Sequence, residues 1–318
     1  MMGLAKIARG LHAGGVMGIN RRNAEYMLVH NPRARYPLVD DKLETKRLAE
    51  TAGVAVPPLY AVVEIEREIR ELPRKLADHE DFVVKPARGS QGDGIAVVVG
   101  RSRAGYRLAD GTTITDAELG YHVSNILSGV FSLGGQTDRA LVEYRVQFDP
   151  VFERITYRGV PDIRVIVFLG VPVMAMVRLP TRMSRGKANL HQGALGTGID
   201  MGTGTTLSAV WREQIVDEHP DTGMPVAGVQ IPGWDALLDI AARSYELTGL
   251  GYVGIDLVLD REKGPLVLEL NARPGLAIQL ANRAGLAPRL EAARAAFATL
   301  APVPDRVSFA KERFRSAS

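Results

Sequence analysis

The sequence predicts an α+β protein whose strands are mostly antiparallel. Two segments, "FVVKPARGSQGDGIAVVVG" and "GIDLVLDREKGPLVLELN", each contain two strand-like runs separated by a short loop. A third, "DIRVIVFLGVPVMAMVRL", has the same form and is expected to turn at Gly170-Val171. Strands joined by short loops pair antiparallel, whereas parallel strands need a crossover of a dozen or more residues. The pattern therefore argues against a regular βαβ alternation.

Two helices are expected between and after these strands. In the segment 40–53, Asp41 and Glu44 have the spacing of a capping box, and Gly53 stands where a helix ends. The second predicted helix, over 234–249, precedes the last strand pair. Residues 1–40 are rich in Gly and Arg and indicate little regular structure.

Composition limits the class of protein and its partners. The chain has 318 residues, 46% of them hydrophobic, which is enough for two or three lobes with their own cores. The absence of cysteine excludes disulfides, thiolate metal sites and a cysteine nucleophile. The 39 basic and 36 acidic residues are mixed along the chain, which argues against a nucleic-acid-binding face and allows acidic small molecules as ligands.

The distribution of apolar residues indicates a cytoplasmic protein that does not span a membrane. The longest uncharged apolar stretch, 165–177, is too short to cross a bilayer and is broken by Gly170 and Pro172. Lys6 and Arg9 lie where a signal peptide would have its apolar core. A homo-oligomer is compatible with this composition, which does not set the number of subunits.

The last strand pair carries a group of oxygen-bearing side chains. Glu269 and Asn271 lie two residues apart in an apolar strand and so share a face. If the strands pair around a four-residue loop, 261–264, Asp256 lies opposite Glu269 on that face. Two carboxylates so close need a proton on one of them or a cation between them, and oxygen ligands suit Mg²⁺. The alternative is a hydrogen-bonded or solvated strand end without a metal.

A lysine and a glycine-rich loop follow the strand 82–84. Lys85 ends that strand, and Gly89, Gly92 and Gly94 permit a tight loop whose backbone N–H groups can approach phosphate oxygens. The loop is not a P-loop, because no Gly-Lys-Ser/Thr follows. An ordinary hairpin turn is the alternative.

Three other charged residues are open to two interpretations. Lys42 and Lys46 lie four apart, hence on one face of the first helix, where on their own they indicate an exposed stripe. Glu143, within the apolar strand "RALVEYRV", is either a functional residue or a solvated residue of an edge strand.

Taken in order, these motifs resemble the ATP-grasp superfamily. The matching segments are "DDKLETK", "FVVKPARGSQGDGI", "LVEYRV", "PDIRVIV", "MAMVRLP", "ANLHQGA" and "GIDLVLD…LVLELNARPG". More narrowly, "GINRRNAEYMLVHNPRARYPLVDDK" and "RLPTRMSRGKANLHQGALGTGID" resemble the RimK-related, α-L-glutamate ligase-like proteins. The resemblance implies an ATP-grasp fold, in which two α+β lobes with antiparallel sheets clamp ATP.

The resemblance also implies which residues bind ATP. Lys42 matches a phosphate-contacting lysine, Lys85 the lysine that bridges the α- and β-phosphates, and the loop 88–95 the mobile phosphate lid. The strand around Glu143 matches the hinge that hydrogen-bonds adenine, and the ribose-binding acid is expected at Glu153 or, second, Asp149. The implied nucleotide-binding residues are Lys42, Lys85, Gly89, Ser90, Gln91, Gly92, Gly94, Glu143, Tyr144, Val146 and Glu153.

The implied metal is magnesium, as two ions, with manganese as an alternative. The matching ligands are Asp256, Glu269 and Asn271. The polar positions around the γ-phosphate and the acyl acceptor match Arg164, Arg178, Asn189 and Arg273. His191 would orient the acceptor or act as a base, although a loop histidine bonded to backbone is an equal alternative.

Against the RimK-type pattern, the region before the first lysine motif is short. The expected organisation is an N-terminal segment with the first lysine helix (1–56), truncated relative to a Rossmann-like domain, then a central lobe with the lid (57–146). A lobe with the magnesium site (147–300) and a basic tail (301–318) follow. Because the missing domain normally helps to build the acceptor site, the substrate is not specified by the resemblance.

The reaction that the resemblance implies is an ATP-dependent ligation of a carboxylate to an amine, with glutamate or a peptide as one substrate. The carboxylate would attack the γ-phosphate, and an amine would attack the resulting acyl phosphate. A phosphotransferase or a sugar-transfer-associated ATP-grasp enzyme is the alternative. A non-catalytic nucleotide-binding protein is disfavoured because the lysines and the metal ligands are all present.

Overall fold

The computed structural model describes residues 10–89 and 92–316. Within them the strands are, in chain order, β1 (Leu59–Val63), β2 (Phe82–Pro86), β3 (Ala96–Ser102), β4 (Gly105–Leu108), β5 (Thr113–Ile114), β6 (Ala140–Glu143), β7 (Asp162–Phe168), β8 (Val171–Leu179), β9 (Leu195–Ile199), β10 (Thr206–Trp211), β11 (Gln214–Val216), β12 (Tyr252–Asp260) and β13 (Gly264–Asn271). The helices are α1 (Ile19–Arg21, a π-helical segment Arg22–Met27, and Leu28–His30), α2 (Pro37–Asp40), α3 (Lys42–Thr51), α4 (Leu72–Lys75), α5 (Asp116–Leu127), α6 (Trp234–Thr248), α7 (Ile278–Asn282), α8 (Ala287–Ala296) and α9 (Val303–Arg313).

The chain divides into two compact units. The smaller unit consists of Asp41–Arg47 and Val56–Gln147. The larger unit contains the residues up to Asp40, Leu48–Ala55 and the chain from Phe148 onward. The boundaries expected from the sequence at 56, 146 and 300 stay predictions.

The smaller unit is a six-stranded antiparallel sheet in the order β1-β6-β2-β3-β4-β5. Burial alternates along β3, as expected for a strand with one face on a core. Helix α5 packs on β2 and β6, and Thr115 caps it by accepting a hydrogen bond from the Glu118 N–H. The core between them contains Phe82, whose ring meets that of Tyr106 edge to face at 5.5 Å.

The larger unit has a seven-stranded antiparallel sheet in the order β11-β10-β9-β8-β7-β12-β13. Every residue of β7 and β12 is buried, because these central strands are covered on both faces. Helix α6 packs on them through Leu237, Leu238, Ala241 and Ala242, the apolar stripe of an amphipathic helix. It ends at Thr248, one residue before the predicted end, and Gly249 caps it with a φ of +66°.

The predicted α+β class with antiparallel sheets is confirmed, but two hairpin turns differ in detail. The β7–β8 turn is Leu169-Gly170, since Phe168 pairs with Val171, and not Gly170-Val171. Both turn residues have positive φ (+50° and +77°), the conformation of a tight two-residue turn that matches strand twist. The predicted four-residue loop between β12 and β13 is also wrong, because Asp260 pairs with Gly264.

A β-bulge restores the predicted pairing of the two acids in that second hairpin. Leu257 pairs with Val267 and Asp256 with Glu269, so Leu268 is the extra residue on β13. The shorter loop and the bulge offset each other. Asp256 therefore lies directly opposite Glu269, as the sequence predicts.

The N-terminal segment contains more regular structure than its composition indicates. Helix α1 is tied to the start of β12, because the Asn31 amide donates to the Tyr252 carbonyl at 2.7 Å and accepts from the Tyr252 N–H at 2.8 Å. Across the described residues, no helix is long and apolar enough to cross a membrane.

Candidate active site

The centre of the smaller unit holds two lysines on one carboxylate. Lys85 on β2 and Glu143 on β6 come from adjacent strands, and Lys46 comes from α3. The Lys46 Nζ lies 2.8 Å from Glu143 Oε2, and Lys85 forms an ion pair with Oε1. Lys46 also donates to the Pro57 carbonyl at 2.6 Å. All three side chains are buried.

This lysine–carboxylate group sets the ionisation of Glu143. Burial raises the pKa of the carboxyl most strongly, but attraction and hydrogen bonds from Lys85 and Lys46 outweigh it, and the net pKa is lowered. The exposed-stripe interpretation of Lys46 is wrong, and so is the edge-strand interpretation of Glu143, because β6 lies between β1 and β2.

The base of the glycine-rich loop contacts the first lysine of α3. Lys42 Nζ donates to the Gly89 carbonyl at 2.7 Å, and its backbone N–H donates to the Ala87 carbonyl at 2.9 Å. Gly92 and Gly94 have φ of +77° and +74°, a region that suits glycine. A Cβ on Gly94 would lie 2.6 Å from the Phe131 ring. Ser90 and Gln91 of the expected lid lie outside the described residues.

The expected adenine hinge continues the strand β6. The Tyr144 N–H donates to the Pro58 carbonyl at 2.9 Å, and Val146 is buried. Of the two candidate ribose acids, Glu153 is exposed and lies 3.1 Å from Arg261 Nη2, whereas Asp149 Oδ1 accepts from the Val151 N–H at 2.8 Å.

Two arginines and two aspartates form a buried network in the larger unit. Strand pairing places Asp256 opposite Arg164 and Asp162 opposite Arg178. Arg164 donates to both oxygens of Asp256, from Nε at 2.7 Å and from Nη2 at 2.5 Å. Arg178 binds Asp162 through two nitrogens and reaches Asp256 Oδ2 from Nη2 at 2.7 Å. Bidentate pairs of this kind fix the planes of both groups.

The same network shifts the pKa values of its two aspartates in opposite directions. Burial raises the pKa of Asp256, but Arg164 and Arg178 outweigh it and lower the pKa below its usual range. Burial raises the pKa of Asp162 to about 6, where repulsion from Asp256 adds to burial and Arg178 opposes it. The pKa of Arg178 is raised: burial opposes this, but attraction to Asp162 and Asp256 exceeds it.

Glu269 and Asn271 flank this network on the edge strand β13. Both are half-buried, and Asn271 Oδ1 accepts from the Arg273 N–H at 2.8 Å. Among the described residues no three His, Cys, Asp or Glu side chains gather as a metal site. The set of two carboxylates and one amide still fits Mg²⁺ by chemistry, since Mg²⁺ takes few protein oxygens beside phosphate and water. To bind Mg²⁺, an oxygen of Asp256 would either accept from an arginine and bind the ion at the same time, or give up its bond to Arg164 or Arg178.

The remaining expected residues lie on loops. The Arg273 guanidinium lies 5.0 Å from the centre of the Tyr36 ring. Asn189 Oδ1 accepts from the His191 N–H at 2.9 Å and caps a short 3₁₀ turn, Leu190–Gln192. His191 is exposed.

Sequence reasoning missed two members of these groups. Lys46 is indistinguishable in the sequence from an exposed helix lysine, because only the tertiary fold buries it. Asp162 carried a usable signal: it lies two residues from Arg164 in an apolar strand, so the two side chains share a face.

Three solved structures with similar folds are ligases of low sequence identity to this chain. The ATP-grasp ligase PsnB, solved with a minimal precursor, is 16% identical, with a TM-score of 0.44 over 85% of this chain and 63% of that one. D-cycloserine synthetase DcsG is 16% identical, with a TM-score of 0.46 over 84% of this chain and 72% of that one. D-alanine–D-alanine ligase from Bacillus anthracis is 13% identical, with a TM-score of 0.42 over 88% of this chain and 69% of that one.

These similarities carry no activity or substrate to this chain, which spans less than two thirds of the length of PsnB. No curated protein sequence matches the chain. The model of the sugar-transfer associated ATP-grasp family matches residues 21–295. The matched range covers most of the chain and includes all the lysines, arginines and acids of the candidate site described above. The chain therefore belongs to the sugar-transfer associated ATP-grasp family and has the ATP-grasp fold.

Proposed function

We propose that the protein is an ATP-dependent ligase that joins a carboxylate to an amine through an acyl phosphate and releases ADP and phosphate. The observation that carries the proposal is the arrangement of Asp256, Glu269 and Asn271 beside Arg164 and Arg178. It combines oxygen ligands for a divalent cation with guanidinium groups for oxyanions on the strands of one sheet.

The lysines of the smaller unit support ATP as the phosphoryl donor. Lys42 donates to the Gly89 carbonyl at the base of the loop and Lys85 pairs with Glu143, so both amines are held by protein oxygens. Lys85 and Lys46 together place two positive charges on one carboxylate, so the lysine–carboxylate group is cationic as a whole. Such a group attracts phosphate oxygens, and glycine N–H groups add hydrogen bonds without steric hindrance.

The arginine network supports the chemistry at the γ-phosphate. Arg164 and Arg178 are oriented by carboxylates before any substrate arrives, so little reorganisation is needed to stabilise an oxyanion. When bound, Mg²⁺ would supply charge neutralisation and orientation of phosphate oxygens. Asp256, Glu269 and Asn271 would hold it, and Asp162 would keep Arg178 in its plane.

The reaction proceeds in two steps that balance. A carboxylate oxygen forms a bond to the γ-phosphorus as the bond to the β–γ bridging oxygen breaks and ADP leaves. An amine nitrogen then attacks the acyl carbon, phosphate leaves with one oxygen of the original carboxylate, and the amine proton passes to solvent or a base. His191, which is exposed, is a candidate for that base.

For the substrates, we propose glutamate or a peptide, as in RimK-type ligases. A second candidate is a sugar-transfer-associated reaction or a phosphotransfer, and the family match over residues 21–295 favours it. The two differ in what they consume: a ligase needs both an amine and a carboxylate, whereas a phosphotransferase needs a single acceptor.

The test is an ADP- and phosphate-release screen of purified protein with Mg·ATP against amino acids and peptides, with products identified by mass. The proposal expects ADP only when both partners are present, and one ¹⁸O from a labelled carboxylate in the released phosphate. Phosphate-bearing product without an amide would favour the second candidate instead.

A further inference from the structure

One buried arginine in the N-terminal segment has no carboxylate partner among the described residues. Arg22, in the π-helical part of α1, has 7% of its surface exposed. Its Nε and Nη2 donate to Asn23 Oδ1 at 3.0 and 2.8 Å, and its Nη1 donates to the Pro274 carbonyl at 2.6 Å. Each Nη atom carries a second N–H, for which no acceptor lies among the described residues.

Two other buried arginines are paired with carboxylates. Arg164 is paired with Asp256, and Arg306 with Glu246. Burying an unneutralised guanidinium costs several kcal/mol unless something compensates it. Neutral carbonyl oxygens satisfy hydrogen bonds but not the charge, so the charge of Arg22 is not neutralised within the described part of the chain.

A second group beside Arg22 is also incomplete. The Tyr252 side chain is fully buried, and its hydroxyl has no hydrogen-bond partner among the residues that the structure describes. Tyr26, four residues after Arg22 in the same helical segment, has its ring centre 6.4 Å from that of Tyr252, and the Arg22 guanidinium and the Tyr252 hydroxyl influence each other's pKa. A buried hydroxyl without a partner is rare and indicates a missing acceptor or donor.

The loop that Arg22 holds leads directly from the candidate metal ligands. Arg22 fixes the Pro274 carbonyl, and Arg273, the neighbour of Pro274, follows Asn271 by two residues. The positive charges of Arg22 and Arg273 repel each other, and with burial this lowers the pKa of Arg22. An anion beside both groups would be attracted to each positive charge, and these attractions would offset the repulsion.

We propose that Arg22, the Tyr252 hydroxyl and Arg273 form a binding site for the oxyanion group of a substrate, a carboxylate or a phosphate. On the proposed ligase function, which this assignment rests on, the site would hold a non-reacting carboxylate or phosphate of the substrate near the reacting end. It gives the N-terminal segment a part in substrate recognition.

The test is the melting temperature of the protein titrated with sodium glutamate and, separately, inorganic phosphate at constant ionic strength. Ligand that binds only the folded state raises the melting temperature with concentration, and this readout needs neither ATP nor turnover. Wild type is expected to respond, and the anion that acts at lower concentration identifies the source. Arg22→Met should weaken the apparent affinity at least about tenfold, as expected for hydrogen bonds to a charged group.

Two further variants separate binding from folding. Tyr252→Phe removes a hydroxyl that bonds no group in residues 10–89 and 92–316, so the variant should fold normally and still weaken the anion response severalfold. Arg21→Met is the matched control, because Arg21 is half-exposed and pairs with Glu25 at 2.8 Å; its response should equal wild type. No response of wild type to either anion, or full responses in both Arg22→Met and Tyr252→Phe, would overturn the assignment and leave Arg22 as a tether for Pro274. If the anion response holds but no ligation is found, only the proposed function fails.

Discussion

The sharpest prediction about stability concerns the lysine–carboxylate group. Glu143→Gln leaves the buried amines of Lys46 and Lys85 facing a neutral amide. Lys46 keeps its bond to the Pro57 carbonyl, but both lysines lose the negative charge of Glu143. Removing one partner of a buried ion pair costs about 3–5 kcal/mol. Because one carboxylate serves two lysines, we expect a loss of about 4 kcal/mol, roughly a thousandfold in the folding equilibrium.

The assay is urea denaturation of wild type and Glu143→Gln, and the matched control is Glu71→Gln. Glu71 pairs with Lys75 at 3.2 Å on an exposed helix, where an ion pair contributes less than about 1 kcal/mol. If Glu143→Gln and Glu71→Gln lose equal amounts, the charge of Glu143 does not stabilise the fold and the reasoning is refuted.

The pH dependence of the difference gives a second check. The pKa of Glu143 is lowered in the folded protein from 4.5, so its stabilisation is complete above that value. It is lost as pH falls through the folded pKa. The gap between wild type and Glu143→Gln should therefore be constant at neutral pH and narrow only in acid.

Three other predictions concern the metal ligands, the loop and a buried histidine. Glu269→Gln should abolish Mg·ATP-dependent turnover with little change in melting temperature, because Glu269 is half-exposed. The control Glu262→Gln, in the adjacent exposed loop, should leave turnover and melting temperature unchanged. Turnover by Glu269→Gln at the wild-type rate would contradict the assignment of Glu269 as a metal ligand. Gly94→Ala should raise the Michaelis constant for ATP more than Gly111→Ala does. Both glycines have positive φ, but only at Gly94 would a Cβ lie against an aromatic ring, that of Phe131, at 2.6 Å. Equal Michaelis constants in the two variants would argue against a phosphate lid. Burial lowers the pKa of His219, although the hydrogen bond to the Pro180 carbonyl and the charge of Asp221 oppose this shift. The folded state therefore binds fewer protons at this histidine than the unfolded state does. The free energy of unfolding should fall as pH drops below about 6.5, and it should fall less steeply in His219→Gln than in wild type. Equal slopes against pH in the two proteins would contradict this prediction.

Strand alternation predicts much of the candidate site. Glu269 and Asn271 share a face because they are two residues apart, and the predicted hairpin pairing places Asp256 opposite Glu269, which is confirmed. The loop length was wrong because a bulge at Leu268 leaves no pattern in an apolar run. The same alternation, applied to Asp162 and Arg164, would have found the partner of Arg178.

Features that depend on tertiary packing were not predictable. The burial of Lys46 requires α3 to lie against β6, which no local pattern states. Helix α1 has no regular apolar stripe: Ile19, Leu28 and Val29 are exposed while Arg22 is buried. Strand β6 stops at Glu143, short of the predicted 146, because its partners β1 and β2 pair only that far.

The central claim is that Lys85 binds the phosphates of ATP and that Glu269 binds Mg²⁺. The most direct test is calorimetric titration of a non-hydrolysable ATP analogue, with and without Mg²⁺, into wild type, Lys85→Met and Glu269→Gln. We predict Mg²⁺-dependent binding to wild type, and losses of at least about tenfold in both variants, as expected for hydrogen bonds to charged groups. For Glu269→Gln the remaining affinity should no longer respond to Mg²⁺. Wild-type affinity in either variant, or an undiminished Mg²⁺ response in Glu269→Gln, would contradict the claim.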